Sequence, residues 1–163
     1  MRINGCRRVF AYSLLLCGLL GSTAGLAAQP KDLVTSADIE QVLGRAVEPD
    51  LIDGGETVAY TVVDPATGSA PTVFAYLDEP DEWQQLAGLR DVAEAGGQSF
   101  EEVSDIGDAA VYRFLDNSGY LTVEKTPTGG KRTWLTIHVS NAPDAAAARR
   151  IATELGRRAA KRL

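Results

Sequence analysis

The chain has 163 residues, 45% hydrophobic and 23% charged, with 22 acidic and 16 basic side chains for a net charge of −6. An acidic balance of this size opposes binding to nucleic acid or anionic lipid and favours a cationic partner or plain solubility. One histidine and two cysteines exclude a histidine-rich metal centre and leave little material for zinc or thiol chemistry.

Arg2, Arg7 and Arg8 stand before and beside an uncharged, leucine-rich run from Val9 to Leu20, and small residues lead to Gly25-Leu26-Ala27-Ala28. This is the layout of a secretory signal peptide. Residues 1–28 are therefore expected to be a leader, and 29–163 a single α+β domain in the periplasm or outside a bacterial cell. Cleavage after Ala27 puts Gly25 and Ala27 at the two small-residue positions. An uncleaved anchor is the other reading, because Val9 to Ala28 carries no charge and is nearly long enough to span a bilayer. Leu14-Leu15-Leu16-Cys17 has the outline of a lipobox. Leu16 stands where that motif needs a small residue, however, and Cys17 lies inside the apolar run, so it reads as an ordinary hydrophobic residue. Both Cys6 and Cys17 fall in the leader, so the cleaved chain would hold no disulfide, thiolate nucleophile or cysteine metal site. Beyond residue 28 stand 13 basic and 22 acidic residues, a net of −9. The sign changes along the chain: +4 from Asp144 onward, −13 before it.

Gln29 to Val34 reads as an exposed lead-in. Thr35 then caps a short helix that Asp38 favours electrostatically, with Val34 and Ile39 spaced as a hydrophobic staple and Gly44 as the stop. Glu48 to Glu56 reads as a loop around Pro49 and Asp53-Gly54-Gly55. Thr57–Val63 and Thr72–Leu77 are strands, joined through Pro65, Gly68 and Pro71. Pro80 suits the first turn of a helix running to Ala95, with Trp83, Leu86, Ala87 and Ala93 on its buried side and Gly96-Gly97 as its end. Gln98 to Asp108 fits either a short helix or an extended crossing, since Phe100, Val103 and Ile106 recur every three residues.

Three runs rich in β-branched and aromatic residues follow: Ala109–Phe114, Tyr120–Lys125 and Arg132–Val139. Turn-forming residues separate them, the pattern of an antiparallel meander. In the last run Thr133, Leu135, Ile137 and Val139 point one way, and Trp134, Thr136, His138 and Ser140 the other. Leu121 and Val123 oppose Tyr120, Thr122 and Glu124 in the same manner. A final helix from Asp144 to Leu163 carries Ala148, Ile151, Ala152, Leu155 and Ala159 on one side. Gly156 there costs about 1 kcal/mol against alanine, which marks a close approach. The expected architecture is α+β, in the order α-β-β-α-β-β-β-α. A mainly antiparallel sheet of about five strands packs its aliphatic face against two longer helices, Pro80–Ala95 and Asp144–Leu163. The order hints at a duplicated half, without a residue-level repeat.

The opening helix Thr35–Gly44, the Asp105-Ile106-Gly107-Asp108-Ala109-Ala110 lead into a strand and the Ala/Arg-rich last helix resemble those of small exported bacterial proteins. These include uncharacterised actinobacterial lipoproteins, and the element order is similar to Mog1/PsbP-like α+β domains. Where those lipoproteins often carry Cys-x-Tyr early in the first strand, this chain has Val58-Ala59-Tyr60, and it lacks their anchor cysteine. The resemblance implies an exported α+β fold and brings no catalytic residues.

His138 is the sole histidine, and a triad or proton shuttle of the usual kind would depend on it. No nucleophile elbow or oxyanion motif surrounds Ser118 or Ser140. The carboxylate clusters Asp78-Glu79-Pro80-Asp81-Glu82 and Glu101, Glu102, Asp105, Asp108 fit helix-end preference and solvation better than calcium binding. Asp116-Asn117-Ser118-Gly119 lacks the remaining ligands of an EF-hand loop. Neither a cofactor nor a metal is expected. More suggestive is the face that Trp134, His138 and Tyr120 share, which Tyr112 or Phe114 joins according to the parity of their strand. Left open, it offers aromatic anchors for binding; covered, it is core. The basic last helix has an apolar side of mostly alanine, suited to packing on a sheet rather than to membrane insertion. The expectation is an exported binding or interaction module for a cell-envelope protein or small ligand. No nucleic acid is expected as a partner, and no membrane after leader cleavage. An inhibitor or immunity protein against a basic toxin or hydrolase is the narrower version, and a carboxylate-dependent enzyme the rival.

Overall fold

A computed structural model describes residues 28–63, 70–81, 84–128 and 130–163. Residues 1–27 of the expected leader, Pro65 and Gly68 of the first strand connection, Glu82 and Trp83 lie outside them. Thr35 is extended, and its hydroxyl accepts from the Asp38 N–H while the Asp38 carboxylate accepts from the Thr35 N–H. This reciprocal cap starts helix α2 (Ser36–Leu43), and Gly44 ends it at φ 69°. Ahead of it, the segment expected as an exposed lead-in instead forms one helical turn, α1 (Pro30–Leu33). Pro30, Leu33 and Val34 are buried, and the Tyr60 hydroxyl donates to Val34 O. Apolar side chains at positions 33 and 34 drive that turn onto the sheet.

Seven strands form one antiparallel sheet rather than about five: β1 (Val47–Ile52), β2 (Thr57–Val62), β3 (Thr72–Asp78), β4 (Ser99–Glu102), β5 (Ala109–Leu115), β6 (Ser118–Lys125) and β7 (Thr133–Ser140). Their spatial order is β1-β2-β3-β7-β6-β5-β4. The two additional strands are the edges, formed from the segment expected as a loop and from the one left between helix and crossing. An edge strand has one neighbour and little burial, so VEPDLI and SFEE need no clean apolar alternation. Two meanders, β1 to β3 and β4 to β7, meet where β3 pairs with β7 from Thr72↔Ser140 to Asp78↔Trp134.

One face carries Val58, Tyr60, Val73, Ala75, Leu121, Val123, Leu135, Ile137 and Val139, all essentially without solvent exposure. Helix α4 (Ala145–Ala159), capped by the Asp144 carboxylate accepting from the Ala147 N–H, covers it together with α1 and α2. Ala148, Ile151, Ala152, Leu155 and Ala159 form its buried stripe, as the spacing predicts. A Cβ on Gly156 would collide with Leu121 Cδ2, which is why the helix lies so near β6.

The other long helix differs from expectation in both length and place. Helix α3 runs only from Gly88 to Ala95, after turns in which Gln84 N–H donates to Asp81 O and Gly88 N–H to Gln85 O. It packs on β4, on the side of the sheet away from α4, because the chain must cross the sheet to carry β4 from β3 to the far edge. Leu86 in the preceding turn seals Val111 and Trp134, with Leu89 and Phe100 packed around them in a second, smaller core.

Candidate functional site

The register places one side chain from each of five strands in a line across the sheet. Phe100 faces Arg113, Arg113 faces Tyr120, Tyr120 faces His138, and His138 faces Phe74. Neighbouring strands lie about 4.8 Å apart, close to the stacking distance of flat rings. The Tyr120 and His138 rings are 4.3 Å apart at 13°, and His138 and Phe74 are 5.2 Å apart at 19°. Arg113 Cζ lies 5.7 Å from the Tyr120 centroid, and Arg90 Cζ lies 5.0 Å from that of Phe100. Phe74, Tyr120, His138 and Arg113 are each half-buried. The burial lowers the pKa of His138 below its ordinary value and so favours a neutral imidazole in the stack.

The next line toward α3 is closed. Thr122 and Thr136 are buried with their hydroxyl oxygens 3.1 Å apart, beside Tyr76, whose pKa burial raises. In the line beyond, Trp134 donates from Nε1 to Glu124 Oε2 at 2.7 Å and is only 8% exposed beneath Leu86. The sequence-derived candidates thus divide. Tyr120 and His138 are brought together on a half-buried platform, and Trp134 shares their face but is locked in the second core. Tyr112 faces Leu121 on the helix-covered side, where burial pushes its pKa up to about 12. Phe114, opposite Gly119, shares that side.

Sequence reasoning missed Phe74 and Arg113. The alternation of Val73, Ala75 and Leu77 against Phe74 and Tyr76 already separates two faces, but only pairing of β3 with β7 reveals which neighbours they have. In β5 no alternation exists to read: Val111, Tyr112, Arg113 and Phe114 offer bulk on both sides.

The carboxylate clusters do not converge among the described residues. Glu101 pairs with Arg149, Glu102 with Arg90, Glu79 with Lys131 and Asp108 with Lys125, all at exposed positions except Lys125. No group of three or more potential metal ligands occurs among those residues, and no helix among them is long and apolar enough to cross a membrane. Two cavities open elsewhere. One of about 380 Å³ lies beside Leu86, Val103 and Val111, and a wider groove of about 1110 Å³ is bordered by Pro30, Leu77, Pro127 and Leu163. Neither is lined by the aromatic line. Comparison of the chain with protein-family models, curated proteins and solved structures finds no match.

Proposed function

We propose that this protein is an exported binding or protein-interaction module, and that its contact surface is the platform of Phe74, His138 and Tyr120. One observation carries the reading: three stacked, half-buried rings on the sheet face opposite the main helix-covered core. Rigid aromatic surface that keeps some solvent contact supplies large contact area at low entropic cost when a partner covers it. Export rests on the order of the first 28 residues, a positive start, an apolar run and a small-residue end.

The test is differential capture from the envelope fraction of the source cells, with the immobilised protein and a Tyr120→Ala/His138→Ala variant whose thermal unfolding shows it folded. The same partner should be retained by the parent and lost by the variant. Equal retention by both, or by neither, removes the platform from the function.

A narrower version is an inhibitor of a basic protein. Glu48 and Asp50 support it, being exposed on edge strand β1 with no cation within 4 Å among the described residues. Asp50 also continues the aromatic line beyond Phe74 and Ala59. Steep loss of captured partner with rising salt would favour this version, and salt-insensitive capture would count against it.

A further inference from the structure

Four cationic side chains among the described residues are half-buried: Arg113, Lys125, Arg132 and Arg158. Lys125 has Asp108 at 2.9 Å, Arg132 has Glu124 at 3.8 Å, and Arg158 has Glu154 at 3.0 Å. Arg113 has no acid within 4 Å among the described residues; it has the Tyr120 ring instead. Its Nε is buried and meets no acceptor among the described residues. In a chain so rich in carboxylates, a half-buried guanidinium without one is out of keeping with the rest of the surface.

The mismatch is local and shared. Among the described residues, four buried side-chain polar atoms lack a hydrogen-bond partner: Gln98 Oε1, Tyr112 Oη, Arg113 Nε and His138 Nε2. Tyr112 belongs to the opposite side of the sheet. Arg113 and His138 flank Tyr120 in a single line, and Gln98 leads into β4 two residues before Phe100, the neighbour of Arg113 in that line. Buried polar atoms are normally satisfied, so orphans on both Arg113 and His138, either side of Tyr120, mark a place that something polar completes. The acids nearest in the pairing do not fill it: Glu102 is held by Arg90, and Glu124 by Trp134 and Arg132.

We infer that Arg113 is the anion-recognition point of this platform, taking the carboxylate of a ligand whose flat apolar part lies over Tyr120 and His138. The inference rests on the binding reading of the face proposed above and gives its partner a chemistry. A guanidinium beside a ring, 5.7 Å from its centroid, offers the planar fork that pairs with a carboxylate through two parallel hydrogen bonds. The negative charge of the whole molecule selects against polyanions, while screening over about 8 Å leaves a single carboxylate free to respond to Arg113. A free aromatic acid and the C-terminus of a chain ending in an aromatic residue both present this chemistry.

The experiment uses the protein labelled with ¹⁵N and follows the arginine Nε–H resonances and the backbone amides of residues 113, 120 and 138. The probes are phenylacetate, the peptide Gly-Gly-Phe with a free carboxylate, the same peptide as its amide, and phenethylamine. The two carboxylates should give saturable shifts at these positions, and the amide should bind about tenfold more weakly or worse. Arg113→Gln should abolish the preference, and Arg113→Lys should keep only part of it. Tighter binding of the peptide than of phenylacetate names a chain terminus as the source, and the reverse names a free acid. Equal binding of acid and amide, or preference for phenethylamine, overturns the anion assignment while leaving the platform a binding surface. Absence of saturable binding by every probe to tens of millimolar also overturns it, and the capture experiment then judges the platform separately. The acid–amide comparison on the parent protein needs no variant, so misfolding of a substituted chain does not blunt the test.

Discussion

Gly156 stands in the middle of a helix, where alanine is intrinsically preferred by about 1 kcal/mol, and it lies against Leu121 with no room for a methyl group. Gly156→Ala should therefore destabilise the protein by roughly 1–3 kcal/mol, the strain of an overpacked core outweighing the gain in helix propensity. Urea denaturation would measure it, and an unchanged or raised midpoint would show that α4 can move away from β6 without cost. That glycine was legible as a close contact because an exposed helix has no reason to keep one. Tyr112 shows the opposite case. Its identity says aromatic, but its side of the sheet depends on pairing with Leu121, and β5 has bulky residues in both registers. Trp134 was assigned to the correct face, yet its burial depends on Leu86, a residue almost fifty positions away and carried there by a crossover that local spacing does not encode.

Among the elements, the central strands were legible and the edges were not. Strands β6 and β7 alternate because one side is sealed by α4, and that burial is written into Leu121, Val123, Leu135, Ile137 and Val139. Strand β1 is shaped by a different requirement, the avoidance of unwanted pairing. Val63 N–H donates to Ala46 O at 3.1 Å, so in this register Glu48, Asp50 and Ile52 turn their backbone groups toward β2. Val47, Pro49 and Leu51 turn theirs outward. The Val47 N–H is taken by Glu40 Oε1 at 3.3 Å, and Pro49 has none, which leaves Leu51 as the remaining outward donor. The proline that made this segment look like a loop is what keeps a foreign strand off the edge. Pro49→Val should increase self-association, visible as a heavier species in sedimentation velocity at matched concentration. A sedimentation profile identical to that of the parent would show that the edge is protected by something else.

Across the whole molecule, helix α2 and the segment that follows α4 are fastened together. Arg162 Nη1 lies 2.6 Å from Asp38 Oδ2 and its Nη2 lies 3.1 Å from Oδ1, while Nη1 also donates to Leu33 O at 2.6 Å. Arg158 adds a contact to Asp38 at 3.7 Å. The hydrogen bonds from Arg162, supported by those of Thr35, outweigh desolvation and hold the Asp38 carboxyl at about 2, below its ordinary 3.8. A depressed folded-state pKa contributes stability that is complete above the ordinary value and disappears as pH falls through about 2. Its full worth is at most about 2 kcal/mol. The urea midpoint of the parent should fall between pH 4 and 2 by more than that of Asp38→Asn, and parallel pH profiles would remove Asp38 from the account.

The same fastening orders events in time. The guanidinium that pairs with the capping carboxylate of α2 stands 124 positions later in the chain, so the segment after α4 must reach α2 before the pair exists. Contacts this distant in sequence form late and make folding slow. Until they form, Asp38 must remain solvated and α2 is held by its own two turns, too few to persist alone. Docking of α4 is thus a precondition for closing α2, and a helix made early is among the last pieces to settle.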